Sequence, residues 1–387
     1  MNKSVLMISP FFSPNTGGVE TFLDDFVVYL NKKDCNVDVI TYQPLTTNTK
    51  APIYEYKNNR IFRIPWIKFN LFYKLEKYPL FQLLYLGSGI GICSLLYFIF
   101  GKGKDIKVVN CHGLAAGFVG YILSFIVRRH FVLNLHTNYR FSKQSLVGRF
   151  VIHMIERFNK VVVISLSCKT NLETLGVAGN KIFSYHNWVD EKLFMLRDKQ
   201  LCREKLNWEN NAFYALFVGR FSPEKGIFDL LEAIPLIKND IKLMIIGGGM
   251  GENKVKVSSQ NDNVYYLGRK TAVELAVFFN AADILVYAPV DEDYLGRVAI
   301  SALNCGLPIM VPRQSYYMGK KQNVSLEISS QIGRFFDNHI NGFSEELNKI
   351  YRDRYKNLFS RDKCRQYAQG YYGEEINGKI LFDNIKG

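Results

Sequence analysis

Short apolar runs alternate with amphipathic stretches along almost the whole chain. In the first half VLMIS, VDVITY, KVVNCH, FVLNLH and KVVVIS read as strands. After Gly18 the apolar positions Val19, Phe22, Leu23, Phe26, Val27 and Leu30 fall at helical spacing, so one face of that helix is buried. In the second half YALFVG, KLMIIGG, VYYLG, ADILVYA and LPIMVP read as strands, with helices such as Thr271–Ala281 and Val298–Asn304 between them. Strands that are apolar throughout and separated by helices predict parallel sheets covered on both faces. The polar tract LRDKQLCREKLNWENN interrupts the alternation near residues 190–205. The pattern therefore predicts an α/β chain of two doubly wound units, with the first domain at 1–195.

One stretch breaks the rhythm. Leu80–Phe100 has no charged residue and is long enough to cross a bilayer. It also holds Gln82, Ser88, Ser94 and three glycines, and the strand IKVVNCH follows within a few residues. A single crossing here would put two parts of one domain on opposite sides of a membrane. The expectation is a helix that is buried or faces a membrane without spanning it.

Composition narrows the class. The chain has 387 residues, 48% apolar and 22% charged, which suits two ordinary folded domains. Seven cysteines with no C-x-x-C pair argue for reduced thiols, and against a disulfide framework or a zinc site. The N-terminus MNKSVLMISP reads as a strand rather than a signal peptide, so a cytoplasmic location is expected. Net charge is +14, and residues 1–190 hold 22 Lys/Arg against 11 Asp/Glu. Such an excess asks for an anionic partner. No zinc-finger or RRM-type pattern supports nucleic acid. Lys57, Arg60, Arg63, Lys68, Lys74 and Lys77 lie among Trp66, Phe69, Phe72 and Tyr73, and this basic, aromatic segment suits an anionic membrane surface.

The most informative short run is GRFSPEKG, Gly219–Gly226. It follows the strand YALFV and leads into the amphipathic IFDLLEAIPLIK. A strand, a tight cationic loop and a helix start make an anion site: helix N–H groups point outward, Arg220 offers a bidentate fork and Lys225 a point charge. Gly17 and Gly18 open the first helix, and Gly247, Gly248 and Gly249 end a strand, where missing Cβ atoms let backbone approach a phosphate. His136 ends one parallel strand and His112 another, a placement suited to the mouth of a site. Asp291, Glu292 and Asp293 resemble a metal-binding triplet, but no second ligand cluster accompanies them, so no metal is expected.

Taken together, SPNTGGVETFLDDFVVYL, VLNLHTNYRF, GRFSPEKG and ADILVYAPVDEDYLGRVAISALNCGLPIMV resemble the retaining, nucleotide-sugar-dependent glycosyltransferases of family 4, with the GT-B fold. The resemblance runs from Ile8 to about Val311. It implies two Rossmann-like domains facing each other across a cleft: an acceptor domain at 1–195, a nucleotide-sugar domain at 196–365, and a closing helix at 366–387 that returns to the first. It implies that Arg220 and Lys225, with Gly17 and Gly18, hold the donor diphosphate, and that His136 faces the donor sugar. Leu295, Gly296 and Arg297 would form a further sugar-phosphate loop, while Gly248, Gly268 and Arg269 would line the base.

The family's paired-glutamate motif, E-x7-E, is altered. Anchored on Gly296 and Gly306, it reads Asp293 and Ser301; a second register puts Glu292 first and makes Leu295 an insertion. Serine offers a shorter, neutral contact to the ribose than glutamate does. Trp188 also stands where the family has the glycine of an N-G-V-D turn. The resemblance implies metal-independent transfer of a sugar, with retention, to a lipid-linked saccharide in surface glycan synthesis. The enzyme would lie peripherally on the inner face of the membrane, through Arg63, Trp66, Lys68 and Lys74. A non-catalytic sugar- or partner-binding relative and a sugar-nucleotide epimerase remain open as alternatives.

Overall fold

The fold follows from those buried strands and one-faced helices. A computed structural model describes residues 3–386, except 16, 48, 57–58, 69–70, 76–77, 140, 291–293, 314, 318–319, 323–330, 338–339 and 357. It divides the chain into two units, 1–187 with 375–387, and 188–374. The first unit runs β1 (Lys3–Ile8), α1 (Gly18–Lys32), β2 (Cys35–Tyr42), β3 (Tyr54–Tyr56), β4 (Arg60–Ile64), α2 (Leu71–Leu75), α3 (Pro79–Ile99), β5 (Ile106–His112), α4 (Gly113–Ile126), β6 (His130–Leu135), α5 (Leu146–Glu156), β7 (Lys160–Val163), α6 (Leu166–Leu175) and β8 (Ile182–Ser184). Its sheet has the order β3-β4-β2-β1-β5-β6-β7-β8. Pairing is parallel throughout except between β3 and β4. The order reverses at β1 and β5, and at such a switch point the loops after the strands part to leave a crevice.

The second unit runs α7 (Lys199–Lys205), β9 (Phe213–Arg220), α8 (Ile227–Ala233), β10 (Ile241–Gly248), α9 (Glu252–Ser258), β11 (Val264–Tyr266), α10 (Ala272–Ala281), β12 (Ile284–Val286), α11 (Arg297–Asn304), β13 (Ile309–Pro312), β14 (Ser315–Tyr317), β15 (Lys320–Gln322), β16 (Gly333–Phe336), α12 (Ile340–Arg352) and α13 (Arg361–Tyr372). Its main sheet is parallel, ordered β11-β10-β9-β12-β13-β16, with the switch between β9 and β12. Alternation along β9 sends Tyr214 and Leu216 into one core and Phe213, Ala215 and Phe217 into another, so both faces of the sheet are covered.

The boundaries differ slightly from those expected. Val189 and Phe194 pack into the second unit's core, which draws the division back to 187/188. At the other end Cys364, Ala368 and Tyr372 of α13 belong to that same core. Only α14 (Glu374–Asn384) returns to the first unit. There Glu375 meets Tyr29 Oη and Lys33 Nζ at 3.1 and 2.7 Å, and Asn377 Oδ1 accepts from the His186 N–H at 2.8 Å.

The apolar stretch forms α3, held against the sheet by specific contacts. Tyr42 Oη donates to Leu86 O at 3.0 Å and accepts from the Ile90 N–H at 3.1 Å. Gly89 permits this approach, since a Cβ there would lie 2.8 Å from the Tyr42 ring. Tyr97 Oη donates to Asp38, the partner of Arg60.

Those contacts correct the membrane assignment of Arg63 and Trp66. Arg63 is buried, paired with Glu55 at 2.8 Å and bonded to Ser13 O. Trp66 stacks on Tyr42 and donates from Nε1 to Tyr85 O at 3.0 Å. Lys68 reaches Thr47 O at 3.4 Å and Lys74 is exposed, while Lys57, Phe69 and Lys77 lie outside the described residues. Within this segment the described cations Arg60 and Arg63 serve ion pairs within the fold rather than an anionic surface.

Candidate active site

Each unit gathers its site residues at the carboxyl ends of its strands. In the first, β5 and β6 run side by side, so His112 and His136 project beyond their ends on the same face. Their rings stack at 5.2 Å and 11°, with His112 Nδ1 3.0 Å from His136 Nε2. Phe22 and Phe26 of α1 pack edge-on against His136 and His112 respectively. Tyr185 Oη lies 3.4 Å from His136 Nδ1.

Two strand positions below, Asn134 Nδ2 donates to Asn110 Oδ1, both side chains fully buried. A polar column of two asparagines and two histidines thus stands in an otherwise apolar sheet. Sequence reasoning missed the asparagines, though the signal was available: each sits two residues before a histidine, in NCH and NLH. Two residues along a strand is the same face.

Burial fixes the protonation of the pair. His136 is lowered to about 4 by loss of solvent, and His112 lies well below its ordinary value through burial and the neighbouring ring. Both are neutral at physiological pH. His112 Nε2 is buried with no hydrogen-bond partner. A buried N–H without an acceptor is the rarer kind of orphan, so the proton of His112 belongs on Nδ1, donated to His136 Nε2. His136 then carries its own proton on Nδ1, toward Tyr185.

The glycine turn before α1 departs from expectation. Gly18 faces open space, but a Cβ on Gly17 would lie 2.2 Å from Glu20 Oε2. Glu20, buried in the first turn of α1, accepts from Asn15 Nδ2 at 2.8 Å. Asp24, one turn on, is raised to about 6 by burial and by nearby Asp25 and Glu20, against the opposing effects of Ser13 and Arg63. An anion at Gly17 and Gly18 would meet these carboxylates, and Glu20 already fills the space beside Gly17.

In the second unit β9 ends at Arg220, which is exposed, and a tight turn at Pro223–Lys225 leads through Gly226 into α8. Gly226 has φ +69°, and a Cβ there would lie 1.9 Å from Ala288 O. The turn is thereby pressed against the loop that follows β12, and the Val290 N–H donates to Glu224 O at 3.0 Å. Burial alone would raise the Glu224 carboxyl, but hydrogen bonding and the charges of Arg220 and Lys225 hold it below its ordinary value.

Beside it, Gly247 and Gly219 meet backbone to backbone, a Cβ on Gly247 being 1.9 Å from Gly219 O. Gly248 lies under Arg269 Nε and Gly249 under Arg220 Cγ, at 2.6 and 3.4 Å from their ideal Cβ positions. Gly268, with φ +71°, faces open space and accepts from the Gly247 N–H at 3.0 Å. The strand ends thus bring Arg220, Gly248, Gly268 and Arg269 to one rim, with Lys225 on the turn beyond.

Around the altered motif, Asp293 and Glu292 lie outside the described residues. The Leu295 side chain is part of the core, which anchors the loop before α11. Gly296 caps α11, its N–H bonded to Tyr287 Oη at 2.9 Å. Arg297 Nη1 donates to Trp188 O at 2.6 Å, so the tryptophan in the altered turn is tied to the start of α11. Ser301, in α11, is 5% exposed, so little of its side chain is offered to a ribose. Among the described residues no cluster of metal-ligating side chains occurs.

Comparison with known proteins matches both units. Residues 16–193 match the family model for Glycosyltransferase Family 4, and residues 198–371 that for Glycosyl transferases group 1. An uncharacterized glycosyltransferase of Methanocaldococcus jannaschii is 26% identical over 316 residues, 80% of this chain and 78% of the relative. The capsular polysaccharide biosynthesis glycosyltransferase CapM of Staphylococcus aureus is 26% identical over 230 residues, 55% of this chain and 60% of that protein. Among solved structures, sucrose-phosphate synthase from Thermosynechococcus elongatus superposes with a TM-score of 0.78 at 19% identity, covering 99% of this chain and 98% of that one. Anabaena HepE in complex with UDP superposes at 0.71 and 18%, covering 99% of both.

Proposed function

Because this chain belongs to the family 4, group 1 glycosyltransferases, has the GT-B fold and uses a sugar-nucleotide donor, we propose that it transfers one sugar, with retention and without a metal, to a lipid-linked saccharide in surface glycan synthesis. The strand–turn–helix at Arg220–Ile227 is the observation that carries this reading. Arg220 and Lys225 offer fixed positive charge where a departing diphosphate gains negative charge, and a preorganised cation does so without reorganising solvent. That is the work a divalent ion would otherwise do. Gly268 leaves backbone open for the nucleoside, and Arg269 lies over Gly248 beside it.

In the reaction the acceptor oxygen bonds to the sugar's anomeric carbon as the carbon–oxygen bond to the diphosphate breaks. The acceptor proton then needs a base. His136, lowered to about 4, is a poor one at neutral pH, and its ring nitrogens face His112 and Tyr185. The departing diphosphate is the better acceptor, and His136 serves to position. Asp293, with Glu292 as the competing residue, would hold the sugar hydroxyls. The name of the capsular relative supports a surface-polysaccharide acceptor, and the UDP bound in the Anabaena structure makes UDP-sugars the first donors to try.

A thermal-shift screen of UDP-, GDP-, ADP- and dTDP-sugars tests the donor, since a ligand bound only by the folded state raises its stability. NMR of the product's anomeric proton tests retention, and transfer in EDTA tests the metal. A stabilising donor with no transfer to any acceptor would favour the non-catalytic reading, which the burial of Ser301 supports. A donor consumed without acceptor would favour an epimerase.

A further inference from the structure

Helices α3 and α4 lie side by side on the first unit, and neither contains a charged residue. Only 33% of the most apolar window of α3, mean hydropathy 1.6, is buried. Its inward face carries Tyr85, Leu86, Ile90 and Tyr97. Its outward face exposes Phe81, Leu84, Ile92, Ile99 and the adjoining Phe100, while α4 exposes Ile122, Phe125 and Ile126. Between the helices runs a groove of about 270 Å³, lined by Leu84, Ile92, Leu95, Phe118, Ile122 and Ile126 among others. Gly87 and Gly91 open it, because their missing side chains face Phe118 and Val119.

Both helices run into neighbouring parallel strands, β5 and β6, so their C-terminal ends come out at the same edge of the sheet. Lys102 and Lys104 follow α3, and Arg128 and Arg129 follow α4, all four exposed, with Asp105 the one acid among them. Arg129 Nη2 lies 3.4 Å from Lys104 O, so these cations adjoin. Arg157 sits over the exposed Phe125 ring at 4.6 Å.

We propose that this α3–α4 face is where the protein docks on an anionic lipid bilayer, its exposed side chains entering the acyl boundary, its groove taking a hydrocarbon chain, and its cations meeting the headgroups. The inference rests on the lipid-linked acceptor reading and gives that reading a surface. The charge pattern selects the occupant. A protein partner's interface is rimmed by polar groups, whereas here two whole helices lack charge and the cations collect at one end, as for a helix lying in the membrane plane. Crossing is excluded, because α3 is bonded along its length to Tyr42 and Asp38 of the sheet. The groove exceeds the roughly 150 Å³ apolar cavity that admits benzene.

Co-sedimentation of the full chain with vesicles tests the proposal. Wild type should bind phosphatidylglycerol-containing vesicles and release in high salt. Ile92→Glu and Phe125→Glu should each cut binding at least tenfold while leaving the melting temperature and the donor thermal shift unchanged. Arg128→Glu with Arg129→Glu should remove the preference for anionic lipid, at about fivefold per cation. Lys68→Glu with Lys74→Glu should change nothing. Undiminished binding in the α3 and α4 variants would overturn the proposal. So would a wild-type dimer that avoids vesicles and that Phe125→Glu turns into a monomer. Transfer to a detergent-solubilised lipid-linked acceptor separates the two readings: transfer without vesicle binding sinks the docking face alone, and vesicle binding without transfer sinks the acceptor alone.

Discussion

His112 and His136 stack face to face with nitrogens 3.0 Å apart, and burial keeps both neutral. In the unfolded chain each would take up a proton near pH 6.5. Their folded values are depressed, so the stabilising contribution is present above about pH 6.5 and is lost as pH falls toward 4. Replacing both by asparagine should flatten the stability curve across that window, as read by thermal melts. The transfer rate of the wild type should show no inflection from these rings between pH 5 and 8. An NMR titration of the His112 or His136 ring in that range would contradict the pairing.

Arg220→Ala and Lys225→Ala should each weaken donor use by about one to two orders of magnitude, since a charge-assisted hydrogen bond contributes roughly 1.5–3 kcal/mol. Steady-state kinetics against donor concentration would read this, with the melting temperature of ligand-free Arg220→Ala close to wild type because Arg220 is exposed.

Two glycines with nearly the same φ should respond differently. Gly226→Ala drives a methyl into Ala288 O and breaks the contact that shapes the cationic turn. It should lower the melting point markedly and abolish donor binding. Gly268→Ala meets no atom within 4 Å and carries only the conformational cost, about 1–2 kcal/mol. Equal losses in the two variants would mean that the turn does not lean on the loop after β12.

Asp24, on α1, has a folded value raised to about 6 from 3.8, so its neutral form is the one the fold prefers. Its favourable contribution is present below pH 3.8 and disappears as pH rises through 6. Asp24→Asn should therefore stabilise the protein at pH 7 to 8 and leave it unchanged near pH 4. Melts at the two pH values give the answer directly.

Long apolar runs made β1, β2, β5, β9 and β10 readable in advance, and the helix read at Thr271–Ala281 is α10, which Thr271 and Glu274 cap. The edge strands β3, β8 and β16 escaped, because YEY, IFS and GRFF are short and hold polar or charged residues rather than an unbroken apolar run. The strand, cationic turn and helix around Arg220 and Lys225 could be read because every part of the unit is contiguous. Arg63 and Trp66 could not, because Glu55, Ser13 and Tyr85, which hold them, are distant in sequence and no local pattern announces them. A run of cations and rings looks the same from sequence whether it faces lipid or its own sheet. Ser301 posed the same difficulty: spacing gave its position in a motif, and only packing revealed that it is buried.

The chain leaves the first unit at Asn187 and returns to it at Glu375. During synthesis on a ribosome, therefore, the whole second unit emerges before the first has its last helix. Tyr29, Lys33 and the His186 N–H must wait for Glu375 and Asn377 while an entire domain folds. The second unit can reach its native state as soon as it is made, whereas the first stays open along the flank that α14 later covers. A stall or premature stop shortly before Glu375 would release a finished second unit joined to an incomplete first one, with Tyr29 bared to chaperones and proteases.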